Sequence, residues 1–429
     1  MFLSRKGFPY HVNYDSLEKE VQLVKEITPL YPWKRNIILF LTSQTISLFG
    51  SSLVQYAIMW YITLNTKSGV MMAISIICGF LPTFFVSPFA GVWADRFNRK
   101  RLIIISDSFI AISTLVLAIL FFAGYDALWL LFVVSAIRSI GTGVQSPAVS
   151  AVLPQVVPEE KLTKVNATNT SIQSFVTLIS PMASGALLSI APIEIIFLID
   201  VITAVIAVII MTAFVHIPLH AKALVVQVTG YFEDMLSGLR YIHHHRFIKE
   251  FFLFLAVYFF LVSPVAFLTP LQVTRTFGED VWRLTAIEIV FSAGTMLGGF
   301  IMAYWKGFRN KVYTMFLAST ILSLFTSALG ITNIFAIYLV FMAGAGVAMP
   351  FFNTPAIVLL QEKVETDYMG RVFGVLGMIT SIMMPFGMLI FGPVADIIKI
   401  EYMLIGTGIL MLAEGFLLVR SKAILKEGL

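Results

Sequence analysis

Five ionisable residues lie inside long apolar stretches of this sequence, where a charge is costly. They are Asp107, Arg138, Asp200, Glu288 and Glu414. A charged side chain in the hydrocarbon of a bilayer has to face protein or water, so such residues often mark a path for ions or solutes. A buried carboxyl group can also take up and release a proton near neutral pH, because burial disfavours its charged form. The placement of these residues therefore predicts proton-driven transport.

Among these residues, Asp107 is our first choice for the proton carrier and Glu288 is our second. Asp107 lies about two helical turns from one end of its stretch, where it could pair with Arg138. Asp200 and Glu288 lie nearer the opposite side of the membrane, and Glu414 lies on the same side as Asp107. The alternative for each carboxylate is a buried polar contact or exposure at the membrane surface, and for Arg138 it is a structural ion pair.

Four side chains of the first apolar stretch are candidates for lining a solute cavity. They are Gln44, Gln55, Trp60 and Tyr61. The alternatives are amide hydrogen bonds to neighbouring helices and an aromatic belt at the membrane surface.

The residues that usually hold metal ions form no such pattern here. The chain has one cysteine, Cys78, and its histidines at 243–245 are consecutive, so they would point in different directions on a helix. We therefore expect no metal centre and no disulfide within one chain.

Twelve apolar runs position these candidates. The chain is 58% hydrophobic and 12% charged, and a soluble domain with so little charge would aggregate. About 20 apolar residues cross a bilayer as a helix. The runs lie at 36–64, 69–93, 102–124, 127–151, 165–190, 194–217, 247–272, 284–305, 312–330, 333–360, 372–395 and 402–420. This pattern predicts an all-α membrane protein with twelve transmembrane helices.

The basic residues predict the orientation of these spans. Of the 29 Lys and Arg residues, 24 fall on one side of the membrane, and Arg138 lies within a span. The remaining four, on the other side, are Lys67, Arg275, Arg283 and Lys399. Because Lys and Arg accumulate in cytoplasmic loops, both chain ends are expected in the cytoplasm. The basic residues are scattered among short loops, so we expect no nucleic-acid partner.

An internal repeat divides the spans into two sets of six. Gln145-Ser146-Pro147-Ala148 in the fourth run is echoed by Asn353-Thr354-Pro355-Ala356 in the tenth. Two such halves form a parallel repeat, which can rock around a central cavity. The expected divisions are a tail at 1–35, a bundle at 36–217, a linker at 218–246, a second bundle at 247–420 and a tail at 421–429. The apolar spacing of the linker predicts an amphipathic helix on the cytoplasmic membrane surface.

The most specific motif, GVWADRFNRK at residues 91–100, joins the second and third runs. It resembles the loop signature of the major facilitator superfamily, which implies that superfamily's fold of two parallel six-helix bundles. Asn98 replaces the usual turn glycine, and asparagine tolerates a left-handed backbone. The resemblance implies a cytoplasmic gate, in which Asp95 accepts hydrogen bonds at the start of the eleventh helix. The expected gate residues are Gly91, Asp95, Arg96, Arg99, Lys100 and Arg371.

Other stretches narrow the resemblance. Residues 138–143 resemble the superfamily's fourth-helix motif for proton coupling, and residues 79–82, 157–164, 361–363 and 370–373 are similar to bacterial macrolide efflux transporters. This resemblance implies a monomeric drug:proton antiporter in the bacterial inner membrane. It would export a small amphipathic molecule, such as a macrolide, would contact lipids, and would need no cofactor beyond the proton gradient.

Two other functions stay open at this point. One is export of an endogenous metabolite, siderophore or peptide, and the other is a membrane-embedded enzyme or lipid-handling protein. No His–carboxylate or nucleophile–base spacing converges in the sequence, so we expect no catalytic residues.

Overall fold

The computed structural model describes residues 33–217 and 240–428, without the side chains of Pro88, Asp95, Glu159, Thr366 and Asp367. The predicted tail at 1–35 and linker at 218–246, with its amphipathic helix, fall mostly outside these described residues. Their structure stays a prediction.

The first part of the described chain folds into six long helices. They are α1 (Trp33–Thr66), α2 (Gly69–Arg96), α3 (Arg99–Phe122), α4 (Leu128–Val156), α5 (Glu159–Ile190) and α6 (Ile193–Phe214). Short polar side chains begin two of these helices. Ser68 accepts a hydrogen bond from the N–H of Met71, and Asn98 accepts one from the N–H of Arg101. Such caps satisfy backbone donors that have no partner within the helix.

The second part contains eight helices. They are α7 (Arg246–Phe267), α8 (Thr269–Thr276), α9 (Val281–Trp305), α10 (Lys311–Leu329), α11 (Phe335–Lys363), α12 (Thr366–Ile397), α13 (Ile400–Arg420) and α14 (Lys422–Glu427). Because α7 and α8 form one crossing, the described residues contain 12 helical segments that are long and apolar enough to span a membrane. The predicted fold class is confirmed.

The largest departures from the predicted spans are two early helix starts and one break. The helices α5 and α12 begin at Glu159 and Thr366, about six residues before their apolar runs. Hydropathy reports the thickness of the hydrocarbon layer, whereas a helix continues into the polar region beyond it. The seventh apolar run is broken at Leu268 into α7 and α8, near Pro264 and Pro270, because proline lacks the N–H that continues a helix.

The helices pack as two equivalent bundles. In the first bundle, α2 packs on α4, α1 on α5 and α6, and α3 on α4 and α6. The second bundle repeats this arrangement, with α9 on α11, α7 on α12 and α13, and α10 on α11 and α13. The bundles meet along two seams, α2 with α12 and α5 with α9. This correspondence is the parallel repeat that the sequence predicts.

Twelve spans alternate in direction, so Trp33 and Arg420 lie at one end of the molecule, named here the terminal face. The loop at 67–68 lies at the other end, named here the loop face. Near the loop face the bundles share an apolar cluster. There, Trp60, Met72 and Ile76 of the first bundle pack among the buried residues of the second.

Glycines allow the closest helix contacts within the second bundle. Gly294 and Gly298, one turn apart on α9, lie against the backbone of Ala343 and Val347 on α11. A side chain at either glycine would collide with that backbone. Small residues at this spacing let membrane helices approach each other closely.

Candidate functional site

A buried ion pair and its hydrogen bonds connect four helices of the first bundle. Arg138 on α4 forms a salt bridge with Asp200 on α6, and both side chains are almost fully buried. The guanidinium also donates to the hydroxyl of Thr114 on α3 and to the carbonyl of Ser51 on α1 at 3.2 Å. Asp200 accepts from the hydroxyls of Thr114 at 3.1 Å and Ser51 at 3.3 Å. We name these four residues the Arg138 group.

The predicted pairing of Arg138 with Asp107 is wrong. Side chains on a helix tilt toward its N-terminus. The helix α4 begins at the loop face, so Arg138 tilts toward that face and meets Asp200. The helix α3 begins at the terminal face, so Asp107 tilts the other way. The two side chains therefore point apart, although both lie inside the bundle.

Asp107 has neutral partners instead. It is 3% exposed and accepts hydrogen bonds from the hydroxyl of Ser47 on α1 at 2.7 Å and from the amide of Gln145 on α4 at 2.6 Å. Within the part of the chain that the structure describes, no cation forms a salt bridge with it. We name Asp107, Ser47 and Gln145 the Asp107 group.

The two groups lie one above the other along the same three helices. Ser47 and Ser51 on α1 are four residues apart. One pair of group members on α3 and one pair on α4 are each seven residues apart. Those pairs are Asp107 with Thr114 and Arg138 with Gln145. Residues at these spacings share a helix face, and seven residues of helix rise by roughly 10 Å. The Arg138 group lies nearer the loop face, and the Asp107 group lies nearer the terminal face.

Sequence reasoning missed the neutral members of both groups. These members are polar residues in apolar runs, and each lies one or two helical turns from a charged residue or from another member of the two groups. They are Ser47, Ser51, Thr114 and Gln145. That shared spacing was the available signal. It identifies a common helix face, but it does not say which charge each polar side chain contacts.

Glu288 on α9 lies at the seam between the bundles. Its side chain is only partly exposed, and its carboxylate lies within electrostatic range of the Tyr56 hydroxyl on α1. One turn away, Thr285 packs against Gly185 of α5, where a larger residue would collide with it. Glu288 therefore belongs to the second bundle and faces the first. It is not a member of the Arg138 group or of the Asp107 group.

Glu414 on α13 is the most isolated of the candidate carboxylates. It is buried, and neither carboxylate oxygen has a hydrogen-bond partner among the described residues. The Tyr258 hydroxyl on α7 lies within electrostatic range and also lacks a described partner. An ionised carboxylate without partners is costly in such a place, so Glu414 stays a candidate for a group that binds a proton.

The predicted gate residues lie at the terminal face. Arg99 donates to the carbonyls of Ala94 at 2.9 Å and Ala151 at 2.7 Å, and to the Gln155 amide oxygen at 3.1 Å. Lys100 donates to the carbonyls of Thr212 at 3.0 Å and Val215 at 2.7 Å, at the end of α6. Both residues thus connect the loop after α2 to their own bundle.

The other gate residues have different surroundings. Arg96 is exposed, Gly91 has open space where a side chain would extend, and Arg371 lies over the ring of Tyr368 at 5.5 Å. The side chain of Asp95 lies outside the described residues, so its predicted contact with the eleventh span stays a prediction.

The backbone prediction for Asn98 is wrong. Its φ is −64° and its ψ is 111°, which is not the left-handed conformation. Asn98 instead caps α3 with its side chain, and this role needs an extended backbone.

The four cavity candidates of α1 have different surroundings. Trp60 is fully buried between the bundles, and Tyr61 packs against Phe121 within the first bundle, with ring centroids 6.1 Å apart. Gln44 is half-buried, with its amide 3.4 Å from the Ser43 hydroxyl, and Gln55 is exposed. Of the four, Gln55 is the most exposed and Trp60 the least, whereas Gln44 and Tyr61 are both partly buried. The role of the four residues in binding stays a prediction.

Two six-span bundles that meet along two seams and enclose buried ionisable groups define a membrane transporter of the secondary type. The comparison with known proteins agrees. The sequence matches the profile of the Major Facilitator Superfamily over residues 40–388. The chain belongs to the major facilitator superfamily.

Several relatives and solved structures resemble the chain over most of its length. It is 31% identical to macrolide efflux protein A of Streptococcus pyogenes over 384 residues, which cover 89% of this chain and 94% of that protein. It is 32% identical to macrolide efflux protein A of Enterococcus faecalis over 325 residues, 75% of this chain and 99% of that protein. Among solved structures, a bacterial homolog of the human lysosomal transporter Spinster superposes with a TM-score of 0.68 at 15% identity, covering 92% of this chain and 98% of that one.

Proposed function

We propose that this protein is a secondary active transporter that exports small amphipathic molecules of the macrolide kind in exchange for protons. The similarity to two macrolide efflux proteins over most of each chain supports the substrate class. The proposed location is the inner membrane of a bacterium, with the terminal face toward the cytoplasm. That orientation follows from the excess of Lys and Arg at that face. The protein works as a monomer in contact with lipids, and it needs no cofactor other than the proton gradient.

The observation that carries proton coupling is the environment of Asp107. Its carboxylate is buried and bonded by neutral donors, Ser47 and Gln145. Protonation of Asp107 therefore leaves no unpaired cation in the bundle. Protonation of Asp200 would instead leave the buried Arg138 without its counter-ion, which is strongly destabilising. Asp107 is thus better suited than Asp200 to gain and lose a proton during transport.

The two bundles supply the alternating access that export requires. A solute enters between them from the terminal face, and the bundles then rock so that the loop face opens and the solute leaves. The proton and the substrate each bind one of the two states more tightly than the other. Their binding therefore shifts the balance between the states. The bonds of Arg99 and Lys100 within the first bundle support this picture, because they make that bundle a rigid unit at the terminal face.

The test is uptake into everted membrane vesicles from cells that express the protein. Vesicles whose lumen is more acidic than the bath should accumulate a labelled macrolide, and an ionophore that collapses the pH gradient should abolish the accumulation. Vesicles from cells without the protein are the control. Failure across a broad panel of drugs, with the protein present in the membrane, would favour export of an endogenous metabolite, siderophore or peptide.

A further inference from the structure

At the loop face, the last turn of α12 contacts the first turn of α2 in the other bundle. The Asp396 carboxylate accepts hydrogen bonds from the backbone N–H groups of Gly69 at 2.7 Å and Val70 at 3.0 Å. It also accepts one from the Ser68 hydroxyl at 2.7 Å. The N–H groups of a first turn have no partner within their helix, and the helix dipole favours an anion there. A single carboxylate thus joins the two bundles through three donors.

Arg275, at the end of α8, strengthens this junction. Its guanidinium lies 2.7 Å from an Asp396 oxygen and donates to the Ala395 carbonyl at 2.6 Å, both on α12 of its own bundle. It also donates twice to the Lys67 carbonyl of the first bundle, at 2.6 Å and 3.1 Å. Hydrogen bonds in which one partner is charged are stronger than those between neutral groups.

The backbone that receives these bonds is strained. Lys67 has a φ of 49°, in the left-handed region that favours glycine. Such conformations persist where the surrounding contacts hold them, and they are frequent at positions that switch. The Lys67 side chain adds an ion pair with Glu279 of the second bundle. Both the carbonyl and the side chain of Lys67 therefore contact the second bundle.

Glycines show that α2 and α12 touch at this end. A side chain on Gly392 would lie 2.6 Å from the Ala73 Cβ and 2.7 Å from the Gly69 carbonyl oxygen, so the two helices are in contact here. Toward the terminal face, Gly91 on α2 and Gly377 on α12 have no described atom within 4 Å of the corresponding position. The closest packing of this seam is thus at the loop face.

We propose that the Asp396 cluster, made up of Lys67, Ser68, Arg275, Glu279 and Asp396, holds the loop face closed and has to separate for that face to open. Arg275 and Asp396 are positioning residues in the transport cycle, since they set which face is open and do not bind the solute. The inference rests on the alternating access of the proposed function. The bonds of Asp396 to α2 and those of Arg275 and Glu279 to Lys67 join the same two bundles, so opening the loop face breaks them together.

The experiment measures the separation of the bundles at the loop face by pulsed electron resonance between two spin labels. Tyr125 in the first bundle and Ile331 in the second are 68% and 70% exposed, and both lie at this face outside the cluster. The labels are attached at Tyr125→Cys and Ile331→Cys, in a protein whose one cysteine is removed by Cys78→Ser. The full-length protein is reconstituted in lipid nanodiscs.

The test compares Asp396→Asn with the matched control Asp280→Asn. Asp280 pairs at 3.2 Å with Arg283 of its own bundle, so its loss breaks no contact between bundles. We expect Asp396→Asn to increase the ratio of long to short distances by about tenfold, the effect of losing one charge-assisted hydrogen bond, and Asp280→Asn to leave it unchanged. Equal distance distributions in the two variants would overturn the proposal.

A second variant keeps the test decisive if Asp396→Asn does not fold. Arg275→Gln retains the bonds of Asp396 to α2 but removes those to Lys67, so we expect a shift in the same direction and of smaller size. No shift in Arg275→Gln would also overturn the proposal. The readout does not depend on substrate, so failure of the cluster proposal is distinguishable from failure of macrolide uptake.

Discussion

Arg138 and Asp200 stabilise each other because neither side chain reaches water. We predict that Arg138→Gln lowers the free energy of unfolding by about 3–5 kcal/mol, the usual cost of leaving one partner of a buried ion pair uncompensated. The double variant Arg138→Gln with Asp200→Asn should recover most of this loss, because no unpaired charge then remains. Thermal unfolding in detergent measures both. If the double variant is as unstable as the single one, the ion pair is not the source of the effect.

The contacts between individual side chains were the part of the structure that the sequence predicted least completely. Apolar context alone identified Arg138, Asp107 and Asp200 as unusual. It could not pair them, because pairing depends on the direction in which each helix crosses and on the tilt of its side chains. The role of Asn98 was mistaken for a similar reason. Asparagine suits both a left-handed turn and a helix cap, and only the backbone distinguishes the two.

At the scale of the elements, helix contacts depend on small residues as much as on apolar ones. The halves of the chain align so that Pro147 meets Pro355, and at that same spacing Arg138 corresponds to Gly346 and Asp200 to Gly408. Those glycines lie against the backbone of Phe291 and the side chain of Ser327. The second bundle therefore uses close packing where the first uses an ion pair.

The glycines of α9 give a matched test of this packing. We predict that Gly298→Ala destabilises the protein by about 1–3 kcal/mol relative to Gly299→Ala, because the new methyl group meets the backbone of Val347. Gly299 has open space at the corresponding position. Both changes bring the same gain in helix propensity, about 1 kcal/mol, so their difference isolates the contact. Equal melting temperatures for the two variants would show that α9 and α11 are not tightly packed there.

The helices that the membrane requires were predicted correctly from the sequence. A bilayer requires long apolar helices, so all twelve spans were visible in the sequence. The early starts of α5 and α12 were not visible, because their first turns are polar. The break between α7 and α8 had a signal in Pro264 and Pro270. However, prolines also occur inside continuous helices of this chain, such as Pro147 in α4.

At the scale of the whole molecule, the even number of spans fixes the relation of the chain ends. We predict that reporter fusions at residue 429 and before residue 33 are both active on the cytoplasmic side, whereas a reporter inserted after Tyr125 is active on the other side. Alkaline phosphatase and green fluorescent protein, which function on opposite sides of the inner membrane, make the measurement. Chain ends on opposite sides would contradict the arrangement of two six-span bundles.

The parallel repeat was predictable because a short motif, Gln145 to Ala148, recurs in the tenth run. The contacts between bundles were not predictable in the same way. Asp396 and Arg275 lie about 120 residues apart and meet α2 only when the bundles are assembled. The spacing from Gly392 to Asp396 repeats that from Gly91 to Asp95 and so marks Asp396 as a gate residue of the opposite side, but nothing in the sequence pairs it with Arg275.

We propose that Asp107 carries the proton that drives export. The most direct test of this proposal measures two activities of Asp107→Asn in reconstituted vesicles, uptake of a labelled macrolide driven by a pH gradient and exchange of labelled for unlabelled macrolide without one. We predict that the gradient-driven uptake falls to background while exchange continues, because binding and rocking remain but no proton is coupled to them. Wild-type uptake by Asp107→Asn, with loss of uptake in Glu288→Gln, would contradict this account and assign the proton to Glu288.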